Sequence, residues 1–249
     1  LLLLPVVLLR CRAELRRVTA RDLVLCGASG VLLALHFLTW FESLKRTSVA
    51  SSTVLVSTEV IFTALGFALF LHGKIPRLGV WAILLAFGGS ALLALSGGGG
   101  AGELSGNLLA LAAASAAAVY TLIGRIQRGH LSTTVYTFLT YLACFLTLLL
   151  GTAAAGTPLT GYGGREWLIG LALAVLCTLL GHSLFSWCLK YLSPSYVSAA
   201  KLCEPVFSSL AAIPLFGEVP GPLQLAGGAA VLGAVLLYTW AEREKTPAG

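Results

Sequence analysis

Charge is what this sequence has least of. Asp, Glu, Lys and Arg together make up 10% of its 249 residues, against roughly a quarter in an ordinary soluble domain. A surface that poor in charge excludes a conventional globular protein. Methionine is absent altogether, including at position 1. Catalytic spacings are missing too: there is no HExxH, no GxSxG with a following His, no Walker loop and no paired intramembrane aspartates. The run Gly97–Gly100 lacks the Lys-Ser/Thr ending of a phosphate loop. Nothing is left on which to rest an enzymatic activity. The six cysteines, Cys11, Cys26, Cys144, Cys177, Cys188 and Cys203, show no paired or metal-type spacing. Five lie within or beside apolar runs, where a thiol behaves as a small hydrophobe. No disulfide, no metal site and no cofactor are expected.

What is present is apolar sequence: a hydrophobic fraction of 57% and a mean hydropathy of +0.91. These values predict an all-α polytopic membrane protein. Eight runs of about twenty apolar residues read as full spans: roughly 22–43, 48–71, 78–96, 104–124, 133–153, 166–188, 195–216 and 222–240. The opening run Leu1–Leu9 is too short to cross a bilayer at about 1.5 Å per residue. It follows no basic segment and so is not a signal peptide. It reads as the stub of a ninth span, with the expectation that part of the N-terminus is missing. The formal charge of +6 raises nucleic acid as a partner. The basic residues, however, sit in short loops between apolar runs, where they orient spans in a membrane. No nucleic acid is expected.

Residues 44–65 and 189–210 are two versions of one segment. A shift of 145 pairs Leu44-Lys45 with Leu189-Lys190, Ser48 with Ser193, Thr53 with Ser198, Glu59 with Glu204 and Phe62 with Phe207. At a shift of 144, Lys74-Ile75-Pro76 meets Glu218-Val219-Pro220, and Arg21-Asp22 meets Arg165-Glu166. The second copy begins near Leu104, and 104 minus 145 falls about 41 residues before residue 1. The intact protein is therefore expected to have ten helices in two five-helix halves. An odd number of spans per half makes the copies insert in opposite directions. With the loop after the stub placed inside, inner segments hold twelve Lys and Arg and outer segments three, Lys201 being within a span. This is a strong positive-inside bias, and it puts the C-terminus inside. The chain divides into a first repeat at 1–96, a linker at 97–103, a second repeat at 104–240 and a cytoplasmic tail at 241–249. Matched ionisable residues within an internal repeat are a secondary-transporter pattern.

An ionisable group at the bilayer centre costs at least about 2.5–3.5 kcal/mol, and Glu59, Lys201, Glu204 and His182 sit at such depths. Lys201 and Glu204 are three residues apart, share a helix face and can pair. Their stripe is Ser198, Lys201, Glu204 and Ser208, and its first-half counterpart is Ser52, Leu55, Glu59 and Thr63. Two readings stay open: a structural ion pair between helices, or groups lining a solvated path for a polar substrate or for protons. Glu59 has no basic residue within a helical turn, so it must be protonated, hydrated or paired across helices. A carboxyl that ionises when water reaches it is a proton-coupling group. His36 and His182 lie at similar depths, each as an interhelical hydrogen bond or a relay. Trp40, Tyr120, Tyr136, Tyr141 and Trp187 are interfacial anchors or cavity-lining rings, the anchor reading being favoured for most. Pro205 after Glu204 removes a backbone donor and frees the Lys201 carbonyl, a helix break of the kind found in transporters. The first half has Val60 at that place, so the break is expected in one half only.

The run His36-Phe37-Leu38-Thr39-Trp40-Phe41-Glu42-Ser43-Leu44-Lys45-Arg46-Thr47-Ser48-Val49-Ala50-Ser51-Ser52 resembles the first half of EamA-type permeases of the drug/metabolite transporter superfamily. The second half agrees through Gly181-His182-Ser183-Leu184-Phe185-Ser186-Trp187, Glu204-Pro205-Val206-Phe207, Phe216-Gly217-Glu218 and Leu223-Gln224-Leu225-Ala226-Gly227-Gly228. The resemblance implies two inverted EamA repeats in the cytoplasmic membrane. It also implies a central cavity lined by the spans that start near 22, 48, 166 and 195. Those hold His36, Trp40, Ser52, Glu59, Thr63, His182, Trp187, Ser198, Lys201 and Glu204. The implied activity is export of a small metabolite, such as an amino acid, by alternating access. The substrate, the lipid bilayer and protons are the expected partners, with a homodimer left open. Two departures stand out: the first copy lacks the proline, and it has His72-Gly73-Lys74 where the second has Phe216-Gly217-Glu218. The alternative is a non-transporting membrane scaffold or sensor that keeps the fold.

Overall fold

The structure is a computed structural model that describes residues 3–71, 76–96, 101–194, 197–198, 201, 211, 213–217 and 219–243. Among the described residues all regular structure is helical. Short α1 (Leu4–Arg10) and α2 (Arg12–Leu15) lead into α3 (Ala20–Leu44). The start of α3 is set by a reciprocal box in which Asp22 Oδ2 accepts from Thr19 N (3.0 Å) and Thr19 Oγ1 accepts from Asp22 N (3.2 Å). Ser48 caps α4 (Val49–Val56) through Ser51 N, and α5 (Glu59–Phe70) follows after a two-residue interruption. Then come α6 (Arg77–Ser96), α7 (Ala101–Gln127) and α8 (Thr133–Ala154), the last capped by Ser132 through Val135 N. The next span runs through α9 (Gly164–Ala172), a π-helical stretch (Leu173–His182) and α10 (Ser183–Cys188). Finally α11 (Pro222–Arg243) starts on a proline, whose fixed φ suits a first turn.

Six helices among the described residues are long and apolar enough to cross a membrane: Ala20–Leu44, Val49–Phe70, Glu103–Gln127, Thr133–Ala154, Gly164–Cys188 and Pro222–Ala241. The span expected at 78–96 is α6. Most of the one expected at 195–216 lies outside the described residues. Helix α7 begins at Ala101 and α11 continues to Arg243, each about three residues beyond its expected span. The π-helical stretch was not legible as such, because its apolar run reads like any α-helical span. Within it the Thr178 hydroxyl donates to the Leu173 carbonyl, five residues back (3.4 Å).

The chain forms two compact units. One comprises 1–34 and 123–193, the other 35–122 and 194–249. Each draws on both halves of the sequence repeat, so units and repeats are different partitions of the chain.

The first unit closes around Cys26, Leu131, Val135 and Tyr136, with Leu15, Val18 and Leu139 packed against them. Tyr136 is fully buried, and its hydroxyl meets Ser29 Oγ at 2.8 Å. Tyr141 donates to the Thr178 carbonyl at 3.1 Å, beside the π-helical stretch. These two rings tie helices together, which departs from the anchor reading; Trp187 is half exposed and stacks at a tilt on Tyr191. The turn between α7 and α8 is a polar hub. Arg125 donates to the Leu189 carbonyl (2.6 Å) and Arg128 Nε to the Ser186 carbonyl (3.0 Å), capping the end of α10. Gln127 and His130 both donate to Asp22 Oδ1, at 3.1 and 2.8 Å.

The second unit packs α5, α6 and α11 around Val60, Ile61, Ala64, Ala82, Ile83, Ala86, Ala234, Val235 and Tyr238. Gly89 lets α6 lie against the backbone of α11: a Cβ there would come within 2.9 Å of the Gly227 carbonyl and of Val231 N. Lipid offers no hydrophobic force between helices, so such close approaches carry the packing.

In the first unit Gly30 does the same for α3 and α8. An added Cβ would collide with the Thr140 carbonyl and sit 2.8 Å from Cys144 N. Gly27, one turn earlier, faces nothing within 4 Å. Gly30→Val is expected to cost about 1–3 kcal/mol, seen as a fall of several degrees in thermal unfolding in detergent. Gly27→Ala is expected to leave the midpoint unchanged or slightly raised.

Candidate functional site

The site begins with a run of hydroxyl side chains that interrupts the second span. Thr53 Oγ1 donates to the Val49 carbonyl (2.8 Å), Ser57 Oγ to the Thr53 carbonyl (2.8 Å) and Thr58 Oγ1 to the Leu55 carbonyl (2.6 Å). Hydroxyls that bond back to carbonyls three or four residues earlier compete with the helix ladder. Here the ladder tightens: Thr58 N goes to the Leu55 carbonyl and Val60 N to the Ser57 carbonyl, each a three-residue step. The helix therefore ends at Val56 and restarts at Glu59. A break in the first copy corrects the expectation that only the second copy, with its proline, would have one. Glu204 and Pro205 lie outside the described residues.

Glu59 is consequently the first residue of α5. Its side chain is buried, and it is held on several sides. Thr121 Oγ1 from α7 donates to Oε1 at 2.9 Å, and Ser198 Oγ donates to the same oxygen at 3.1 Å. Lys201 Nζ donates to both oxygens, at 2.9 Å each. Thr63, one turn along α5 and fully buried, meets Ser198 Oγ at 3.5 Å. Of the three states open to Glu59 from sequence, pairing across helices is the one found. The contrast drawn between the two glutamates is corrected: Glu59 has a lysine partner and a helix break of its own. A charge removed from water loses several kcal/mol of solvation even after relaxation, and this carboxylate recovers it through one cation and two hydroxyls. The lysine side chain keeps 16% of its exposure while the glutamate keeps 6%. The cation is therefore the wetter end of the pair.

The expected stripe Ser52, Leu55, Glu59, Thr63 is buried throughout. Ser52 faces a different neighbour, sharing a hydrogen bond with Ser43 Oγ at 2.9 Å. On α3, His36 is buried and its Nδ1 donates to the Ala113 carbonyl at 3.0 Å. A carbonyl can only accept, so Nδ1 carries the proton. The imidazole lies within electrostatic reach of Glu59 and Lys201. Its ring also contacts Trp40, with centroids 5.7 Å apart. Trp40 Nε1 is buried and meets no acceptor among the described residues. An unmet buried donor costs about 1–3 kcal/mol and is a point where a ligand acceptor would be welcome. His182 and Trp187 belong to the first unit, His182 at the end of the π-helical stretch.

Thr121 is the residue that sequence reasoning missed. A shift of 145 carries it to before residue 1, so the repeat had no partner with which to mark it. The available signal was a hydroxyl in an apolar span, which is common and usually bonds to its own helix.

Residues 1–95 and 104–240 match the EamA-like transporter family. The pseudopaline exporter CntI of Pseudomonas aeruginosa (strain UCBPP-PA14) is 24% identical over 207 residues, covering 83% of this chain and 72% of its own. The threonine/homoserine exporter RhtA of Escherichia coli (strain K12) is 26% identical over 167 residues, covering 67% of this chain and 56% of its own. A solved crystal structure shares the fold with a TM-score of 0.61 at 22% identity, over 95% of this chain and 84% of that one. A match over nearly the whole length, on a chain of apolar spans built around a buried ion pair, makes this a multi-pass membrane transporter that belongs to the EamA-like transporter family.

Proposed function

We propose that this protein exports a small zwitterionic metabolite of the amino-acid class by alternating access, with Glu59 and Lys201 as the charged clasp. The observation that carries this is the buried pair itself, at 2.9 Å and ringed by Thr121, Ser198 and Thr63. Separating such a pair with nothing to replace it leaves uncompensated buried charge, at about 3–5 kcal/mol. A zwitterion removes that cost. Its ammonium replaces Lys201 on Glu59, and its carboxylate takes Lys201, with Trp40 Nε1 as a further donor on the path. A substrate with one charge would leave one member of the pair unmatched. Relatives named as a threonine/homoserine exporter and as a probable terminal-alkyne amino-acid exporter support the same class. Protons enter through the same carboxyl, since a protonated Glu59 no longer holds Lys201.

The two repeats at 1–96 and 104–240, joined by the linker at 97–103, would rock about this site in the cytoplasmic membrane, with the tail at 241–249 on the cytoplasmic side. We assign His36 and Ser52 to the path around it; the roles proposed for His182, Trp187, Glu204 and Pro205 rest on the sequence alone.

The test is efflux of labelled threonine and homoserine from vesicles carrying the protein. Glu59→Gln and Lys201→Gln are each expected to slow efflux by about tenfold or more, and Glu59→Gln to flatten its pH dependence. Unchanged rates and pH profiles in both variants would sink the clasp and favour the scaffold reading. Thermal unfolding of the same variants supplies a separate check. Lys201→Gln alone strands the carboxylate and is expected to cost about 3–5 kcal/mol, while the double variant should lose less than the sum of the singles. Strict additivity would mean that the two side chains are not coupled.

A further inference from the structure

A second polar site lies in the first unit, away from the residues assigned to transport. A cavity of about 520 Å³ opens where α1, α2 and the start of α3 meet the turn before α8, lined by Arg10, Glu14, Arg17, Thr19, Asp22 and His130 among others. Its two carboxylates are already committed. Asp22 accepts from Thr19 N, Thr19 Oγ1, Gln127 and His130, and Glu14 Oε1 accepts from Ser132 N at 2.6 Å. Its two guanidiniums are not: neither Arg10 nor Arg17 has an ion pair or side-chain hydrogen bond among the described residues, and both are exposed. Arg12, Arg16 and Arg21 surround the cavity in sequence and are likewise exposed. The acidic groups hold the walls together but keep their charge; five arginines, Arg10, Arg12, Arg16, Arg17 and Arg21, against these two carboxylates leave the surroundings of the cavity net positive.

We infer that this cavity binds the phosphate of an anionic phospholipid, with Arg10 and Arg17 as its ligands. Guanidinium forks suit phosphate oxygens, and basic pockets beside membrane helices are a recurrent setting for lipid headgroups. A lipid is favoured over a free anion by what adjoins the arginines. Leu4, Leu8 and Leu9 on α1 are exposed at 38%, 50% and 84%, and Leu9 is the residue next to Arg10. A phosphate in the cavity would leave its acyl chains beside these side chains. The site is independent of the export reading, since it uses none of the residues of the clasp.

The experiment compares the full chain in detergent with added phosphatidylglycerol, phosphatidylcholine, glycerol 3-phosphate and inorganic phosphate, read by thermal midpoint and by lipids retained in native mass spectrometry. Phosphatidylglycerol is expected to raise the midpoint and remain bound, and phosphatidylcholine to do neither. Arg10→Gln with Arg17→Gln should weaken apparent affinity for phosphatidylglycerol by about tenfold or more. Lys190→Gln, an exposed cation of the same unit outside the cavity, should leave it unchanged. Equal stabilisation of wild type and the double arginine variant would reduce the effect to diffuse surface charge and overturn the site. A glycerol 3-phosphate or inorganic phosphate effect equal to that of the lipid would overturn the lipid assignment, and no response to phosphatidylglycerol would overturn both.

Discussion

The carboxylate of Glu59 is the constraint around which the second unit is organised. A negative charge in an apolar span has to be matched by donors that other elements supply, and here α7 sends Thr121 while the segment before Glu204 sends Ser198 and Lys201. The break before α5 belongs to the same arrangement. By ending one helix at Val56 and starting another at Glu59, the chain places the carboxylate just after a tightened turn of the second span. Hydrophobic residues of similar volume would pack as well or better than a buried ion pair. Stability alone therefore does not account for its presence.

The rest of the molecule meets the same problem of holding helices together in lipid with a few polar ties and close backbone contacts. Helices α3 and α7 are bonded in both units, by Asp22 to Gln127 in one and by His36 to the Ala113 carbonyl in the other. Gly30 and Gly89 supply the close approaches, one in each unit. At the turn after α7, Arg125 and Arg128 bond to the carbonyls that end α10. A helix end has four carbonyls without intrahelical partners, so basic residues there serve packing as well as membrane orientation.

Much of this was legible in the sequence for identifiable reasons. Span length and apolarity are set by bilayer thickness, and most of the observed helices lie within a few residues of their expected positions. The repeat picked out Glu59 and Ser198 because both copies place a polar group there. What stayed hidden depended on three-dimensional partners. Lys201 is three residues from Glu204, and helical spacing alone points it there; only the packed helices show it reaching Glu59. The break at Ser57–Thr58 carries no proline, being made by hydroxyls that in most helices bond back without interrupting them. The π-helical stretch has the composition of any apolar span. Tyr136 and Tyr141 look like interface aromatics until Ser29 and the Thr178 carbonyl are found opposite their hydroxyls.

The two ends of the ion pair are held differently, and that asymmetry bears on how a clasp could open. Glu59 is fixed by two hydroxyls, so it keeps part of its stabilisation when Lys201 leaves. Lys201 is the more exposed partner and hangs from a flexible four-carbon stem. On the proposed reading the lysine is therefore the moving part and the glutamate the fixed one. Hydroxyls suit the fixed end because each can donate or accept. Thr121 and Ser198 can donate to a carboxylate and then turn to accept from a substrate ammonium or from a protonated carboxyl. A pair built with a second cation in place of the hydroxyls could not make that exchange, because a cation has nothing with which to accept.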